Sequence, residues 1–148
     1  MDTREKLETA LKDAMRSGDD MRKQNVRMVM SAIKLNEVEK GARLDDAAVV
    51  AIVQKELKSR QEALQDAQKA NRPDLAERAR VEMTFLESFL PQQLSEEELN
   101  ALVSAAIAET GAAAPTDMGK VMKALMPKIQ GRAAGDQVSQ AVRKQLLK

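Results

Sequence analysis

The sequence contains no cysteine and no histidine. Disulfides and thiolate metal sites are thereby excluded. The commonest metal ligand and the usual neutral-pH acid–base group are also missing, so Ser-His and Cys-His nucleophile pairs cannot form. Tryptophan and tyrosine are absent, and only two phenylalanines occur in 148 residues. Base stacking, the usual way of reading single-stranded nucleic acid, therefore has little to work with. No apolar run approaches the roughly 18 residues that a membrane span requires. The opening "MDTREKLETALK" has charge and helical spacing but no secretory apolar core. The expectation from these absences is a cytoplasmic protein without a membrane partner, cofactor, metal or catalytic residue of its own.

What is present favours helices. Ala, Leu, Val and Met supply the apolar mass, punctuated by only four prolines and six glycines. The fold class expected is all-α. Asp2 with Glu5 reads as a capping box, followed by Leu7, Leu11, Ala14 and Met15, and Gly18 stops the helix. Asp19 or Asp20 opens a second helix on Val26, Val29, Met30, Ile33 and Val38, closed by Gly41. Asp45 or Asp46 opens a third on Val50, Val53, Leu57, Leu64 and Ala67. Pro73 starts a fourth, with Leu75, Ala79, Met83, Leu86 and Leu90 on its stripe and Phe85 and Phe89 beside them.

"LPQQLSEEEL" marks a boundary: Pro91 cannot continue a helix, and Ser95 with Glu98 forms another capping box. Leu99, Leu102, Val103, Ala106 and Ile107 follow, ended by Gly111. Thr116 or Asp117 caps a sixth helix on Val121, Met122 and Leu125, ended by Pro127. Asp136 caps a seventh on Val138, Val142 and Leu146. The expected organisation is an N-terminal four-helix domain, residues 1–94, followed by a small three-helix domain, residues 95–148.

Total charge is nearly balanced at +1, but its placement is not. Residues 1–94 hold 17 bases and 17 acids, and residues 95–116 hold four acids and no base. Residues 117–148 hold seven bases (Lys120, Lys123, Lys128, Arg132, Arg143, Lys144 and Lys148) against two acids, a net +5. An anionic partner suits such a tip. The carboxylate pairs Asp19-Asp20 and Asp45-Asp46 and the run Glu96 to Glu98 fall at helix starts, where capping explains them without catalysis. "MGKVMKALMPKIQG" lacks the spacing of a phosphate-binding P-loop. A folded RNA, by contrast, is read through phosphate contacts and close backbone approach, which Lys, Arg and Gly can supply. The candidate RNA-binding residues are Gly119, Lys120, Lys123, Lys128, Gly131 and Arg132. The bland alternative is glycines at turns and lysines on a solvated face.

Four stretches carry a family resemblance: "RMVMSAIKLNEVEKG", "VQKELKSRQEAL", "LESFLPQQLSEEEL" and "DMGKVMKALMPKIQGRAAGDQVSQAV". Together they resemble the YqeY family, which is similar to the C-terminal helical and tail region of the GatB subunit of glutamine-dependent tRNA amidotransferase. The resemblance implies a helical domain followed by a three-helix tail that docks on the elbow of a tRNA. It also implies that a label such as carbon–nitrogen ligase with glutamine as amido-N-donor belongs to the larger enzyme, whose catalytic domain has no counterpart here. The matching motif covers Met118 to Met122, then Gly131, Arg132, Ala133, Gly135 and Val138. At position 134 the family's Gly-Arg-Ala-Asp-Gly departs to Ala134, and Asp136 is the substitute cap expected. Two partners follow: tRNA, or a protein of the amidotransferase or translation machinery. The second corresponds to a helical adaptor docking through the Phe85/Phe89 region or the acidic fifth helix.

Overall fold

In the computed structural model, which describes residues 1–147, the chain is all-α, with seven α-helices and no strand among the described residues. The helices are α1 (Thr3–Ser17), α2 (Asp20–Lys40), α3 (Asp46–Lys69), α4 (Pro73–Glu87), α5 (Glu96–Thr110), α6 (Met118–Ile129) and α7 (Gly135–Leu146). A 3-10 turn at Pro115–Asp117 precedes α6. Lys148, counted among the seven C-terminal bases, lies outside the described residues. The chain divides into two compact units, Met1–Leu90 and Pro91–Lys148.

Local chemistry sets the helix ends of the first unit. Asp2 accepts from the Glu5 amide at 2.8 Å while Glu5 accepts from the Asp2 amide, completing the capping box. Asp19 and Asp45 are the N-caps of α2 and α3, accepting from Arg22 N and Ala48 N. Gly18 and Gly41 end α1 and α2 in the left-handed region at φ 71° and 68°. Helices α1 and α2 form one antiparallel pair and α3 and α4 another. Their shared core includes Leu7, Val26, Val29, Val53, Leu86 and Phe89.

Phe85 and Phe89 meet edge to face at 5.1 Å within this core, and Arg22 lies over the Phe85 ring. Both rings are buried, so they pack the unit and do not form an exposed docking surface. The stripes read from the sequence hold for most positions, with three clear exceptions. Met15 and Val38, 57% and 71% exposed, lie off the centre of their apolar arcs, and Leu75, 42% exposed, lies in the first turn of α4.

Ionic contacts hold the first unit's helices together. Glu37 of α2 accepts from the Arg4 guanidinium of α1 at 2.8 Å and from the Leu44 amide at 2.8 Å, closing the α2–α3 loop. Asp46 accepts from the amide of buried Thr3, joining the starts of α1 and α3. Arg60 of α3 lies 2.6 Å from Glu82 of α4, a charge contact rather than an aligned hydrogen bond. Arg78 reaches the other Glu82 oxygen at 3.2 Å.

The second unit has its own core of Leu99, Val103, Val121, Leu125, Val138 and Val142, among others, contributed by α5, α6 and α7. Ser95 caps α5 by accepting from Glu98 N at 3.1 Å. Helix α6 runs two residues past Pro127. The proline lacks only one donor, and the helix stops where Gln130 and Gly131 turn left-handed at φ 49° and 75°. Asp136 is not the cap of α7. Ala134 holds the N-cap position, with φ −70° and ψ 145° and no side-chain acceptor, while Asp136 lies inside the first turn.

Candidate nucleic-acid interface

The basic elbow is built from the end of α6, the 130–134 turn and the start of α7. Its turn is clasped by the segment leading into α5. The Leu94 amide donates to the Arg132 carbonyl at 2.8 Å, and the Gln93 side chain donates to the Gly131 carbonyl at 3.2 Å. The Arg132 guanidinium turns back to donate to the Gln92 carbonyl at 2.9 Å and lies 3.7 Å from Glu98. Arg132 therefore shapes the elbow before it can meet any ligand.

Lys128 is also engaged. It donates to Glu109 of α5 at 2.8 Å, and that bond holds the Glu109 carboxyl below its ordinary range. The pair is exposed at both ends, so its contribution to stability is small and an incoming phosphate can compete for the lysine.

Lys120 and Lys123 differ. They stand one turn apart on the solvent side of α6, opposite the buried Val121, Leu125 and Ile129. Neither forms an ion pair among the described residues. Asp117, at the foot of the helix, is held below its ordinary range by the amides of Ala113 and Ala114, with a smaller contribution from Lys120. The four candidate cations thus do not share one free face: two are open and two are tied to acids and carbonyls.

The glycines separate as well. Gly131 has a positive φ, which the turn itself demands. Gly119 sits in the first turn of α6 and Gly135 opens α7, both without positive φ, and an added Cβ at either would meet nothing within 4 Å. Nothing within the fold requires glycine at these two positions.

Sequence reasoning missed the clasp by Gln92, Gln93 and Leu94. Its only trace is "LPQQL", a polar pair between apolar residues, which by itself signals a loop. Glu109 as the partner of Lys128 left no local trace, because the two are separated by the 111–117 connection. Among the described residues, no group of three His, Cys, Asp or Glu side chains could hold a metal. Among the described residues, no helix is long and apolar enough to cross a membrane.

Residues 4–146 match the family described as Yqey-like protein. The chain belongs to that family. It is also similar to three proteins named "Altered inheritance of mitochondria protein 41, mitochondrial". The relative from Lachancea thermotolerans is 34% identical over 112 residues, covering 74% of this chain and 60% of the relative. That from Vanderwaltozyma polyspora is 32% identical over 57% of this chain and 46% of the relative. That from Pyrenophora tritici-repentis is 27% identical over 86% of this chain and 71% of the relative. The chain thus spans about half to 60% of the length of the first two relatives. Their names correct the expectation of a cytoplasmic location: the matched relatives are mitochondrial proteins by name, and the cytoplasmic reading rested on absences, no membrane-length apolar run and no secretory apolar core, which do not separate one compartment from another.

Proposed function

We propose that this Yqey-like protein is a non-catalytic accessory module that docks on the elbow of a folded tRNA, in the manner of the amidotransferase tail it resembles. In this reading the 1–94 and 95–148 regions are separately folding domains, four helices and then three, and the smaller one carries the RNA contact. The observation that supports it is the solvent face of α6, where Lys120 and Lys123 stand unpaired one turn apart and Gly119 leaves the backbone open. Two ammonium groups at that spacing suit adjacent phosphates, and the bare backbone permits a close approach. Lys128 and Arg132 join at the cost of weak surface ion pairs. The relatives' names favour a mitochondrial setting for such a role over a cytoplasmic one.

The test is tRNA binding by the wild type and by Lys120→Glu/Lys123→Glu, each checked for helical content. The expected result is wild-type binding at low salt that weakens steeply with added salt, and much weaker binding by the folded variant. A second reading is a helical adaptor for a protein partner, favoured by Leu35 and Val38, which are exposed one turn apart on α2. Absence of tRNA binding by the wild type at low salt would favour it.

A further inference from the structure

The cavity between α2, α3 and α4 has its arginines matched from within, since Arg60 and Arg78 both meet Glu82. A groove of about 650 Å³ between α1, the start of α2 and the end of α4 is different. Its apolar wall includes Ala10, Met21 and Val81, and Val81 is 45% exposed. Asp13 lines it from α1 as an exposed carboxylate with no hydrogen bond or ion pair among the described residues. Ser17, Thr84 and Ser88 add hydroxyls to the same wall, and all three residues are open to solvent. Asp13 and Ser17 stand one turn apart on α1, and Thr84 and Ser88 one turn apart at the end of α4, so polar atoms line both sides.

Each hydroxyl is already committed as a donor. Ser17 Oγ donates to the Ala14 carbonyl, Thr84 Oγ1 to the Arg80 carbonyl and Ser88 Oγ to the Phe85 carbonyl, each one turn back along its own helix. A carbonyl can only accept, so the hydrogen of each hydroxyl is spent and its oxygen is left to accept. Arg22, the cation in the groove, lies over the Phe85 ring and 3.3 Å from Asp19. An anion therefore finds no uncommitted donor here, and a neutral apolar molecule leaves the Asp13 charge unmet. The rings of Phe85 and Phe89 are buried and Arg22 covers the Phe85 face, so a cation in the groove is met by the carboxylate and not by an aromatic face.

We propose that this groove binds a small primary ammonium ion with an apolar body. A primary ammonium carries three N–H donors and no acceptor, the complement of a carboxylate flanked by accepting hydroxyls. It donates to the Asp13 carboxylate and to the hydroxyl oxygens beside it, and the apolar body lies against Ala10, Met21 and Val81.

Phenethylammonium, phenethyl alcohol and phenylpropanoate titrated into the full chain, read by amide chemical shifts, test this. Phenethylammonium should shift residues 13, 17, 81, 84 and 88 together and saturably, and added salt should weaken its binding. Phenethyl alcohol, which has the same body without the charge, should bind about 3- to 10-fold more weakly, and phenylpropanoate should not bind there. Asp13→Asn, at an exposed position, should bring the ammonium down to the affinity of the alcohol. Thr84→Trp, also at an exposed position, should fill the groove and block both ligands, and decides the matter should Asp13→Asn fail to fold. The proposal is overturned if phenethylammonium at millimolar concentration moves none of these resonances, or if it binds no better than the alcohol or the carboxylate. It is equally overturned if Asp13→Asn or Thr84→Trp, correctly folded, leaves its affinity unchanged.

Discussion

The two units use charge differently. In Met1–Leu90 two ion pairs tie one helix to another through largely covered carboxylates, Glu37 with Arg4 and Glu82 with Arg60, the latter two 11% and 16% exposed where they meet, while others, such as Lys23 with Asp20 and Arg80 with Glu77, are exposed pairs along one helix. In Pro91–Lys148 the corresponding contacts lie on the surface, as Lys128 with Glu109 shows, and Lys120 and Lys123 form no ion pair among the described residues. Charge is nearly balanced in the second unit too, with seven bases against six acids, but four of the acids lie on α5 and all the bases lie from residue 120 onward, so the two signs are segregated rather than interleaved. The difference is invisible in the net charge of +1 and plain once the charges are placed.

The largest expected effects would show whether the units are separate domains. Leu7→Ala and Leu125→Ala each empty a fully buried site, one in each core. Each should cost about 3 kcal/mol. Amide exchange should then quicken in the mutated unit and stay unchanged in the other. Equal quickening in both would show a single cooperative fold.

A smaller effect concerns the N-cap of α7. Ala134 has cap geometry without a cap acceptor, and the Gln137 side chain supplies only the reciprocal bond, accepting from the Ala134 amide at 3.3 Å. Ala134→Asp should stabilise the second unit by about 1 kcal/mol, seen as a higher denaturant midpoint. Smaller still is Gly119→Ala. A Cβ there has open space, so the substitution should stabilise α6 by about 0.5–1 kcal/mol in thermal melts. If the open backbone serves a close approach, the same variant should bind tRNA less tightly despite its greater stability.

Acid should separate the units least. The Glu37 carboxyl is held below its ordinary 4.5, first by the Arg4 hydrogen bond and then by the Leu44 amide. A lowered carboxyl pKa stabilises the fold above 4.5, and that contribution is lost as the pH falls through the lower folded value. Glu37→Gln should flatten this part of the first unit's acid unfolding curve, followed by its amide resonances. Glu109, lowered chiefly by Lys128, gives the second unit a loss of the same sign.

Much of the fold is legible in the sequence because caps and apolar spacing are local. Asp2, Asp19, Asp45 and Ser95 each cap the helix expected of them, and Gly18, Gly41 and Gly111 each end one. Local rules fail where they meet a longer-range one. Pro127 has the mark of a stop, but a proline removes a single donor, and the left-handed pair at 130–131 sets the end. Asp136 is the nearest acid to the start of α7, whereas the backbone places the cap two residues earlier.

The site is less legible. Lys120 and Lys123 share a face because three residues separate them on one helix, which sequence spacing reveals. Lys128 and Arg132 belong to the same basic run but are drawn off by Glu109, Glu98 and the Gln92 carbonyl, all on other segments. The cavity between α2, α3 and α4 leaves no pattern in the sequence, since Asn25, Arg60 and Ala79 meet only through packing.

The most direct test of the central claim is the salt dependence of tRNA affinity for the wild type and for Lys120→Glu/Lys123→Glu. The account predicts a linear fall of log affinity with log salt, and a slope smaller by about two in the variant, one for each lysine that no longer meets a phosphate. Equal slopes and equal affinities in the two proteins would show that the open face of α6 does not touch the RNA.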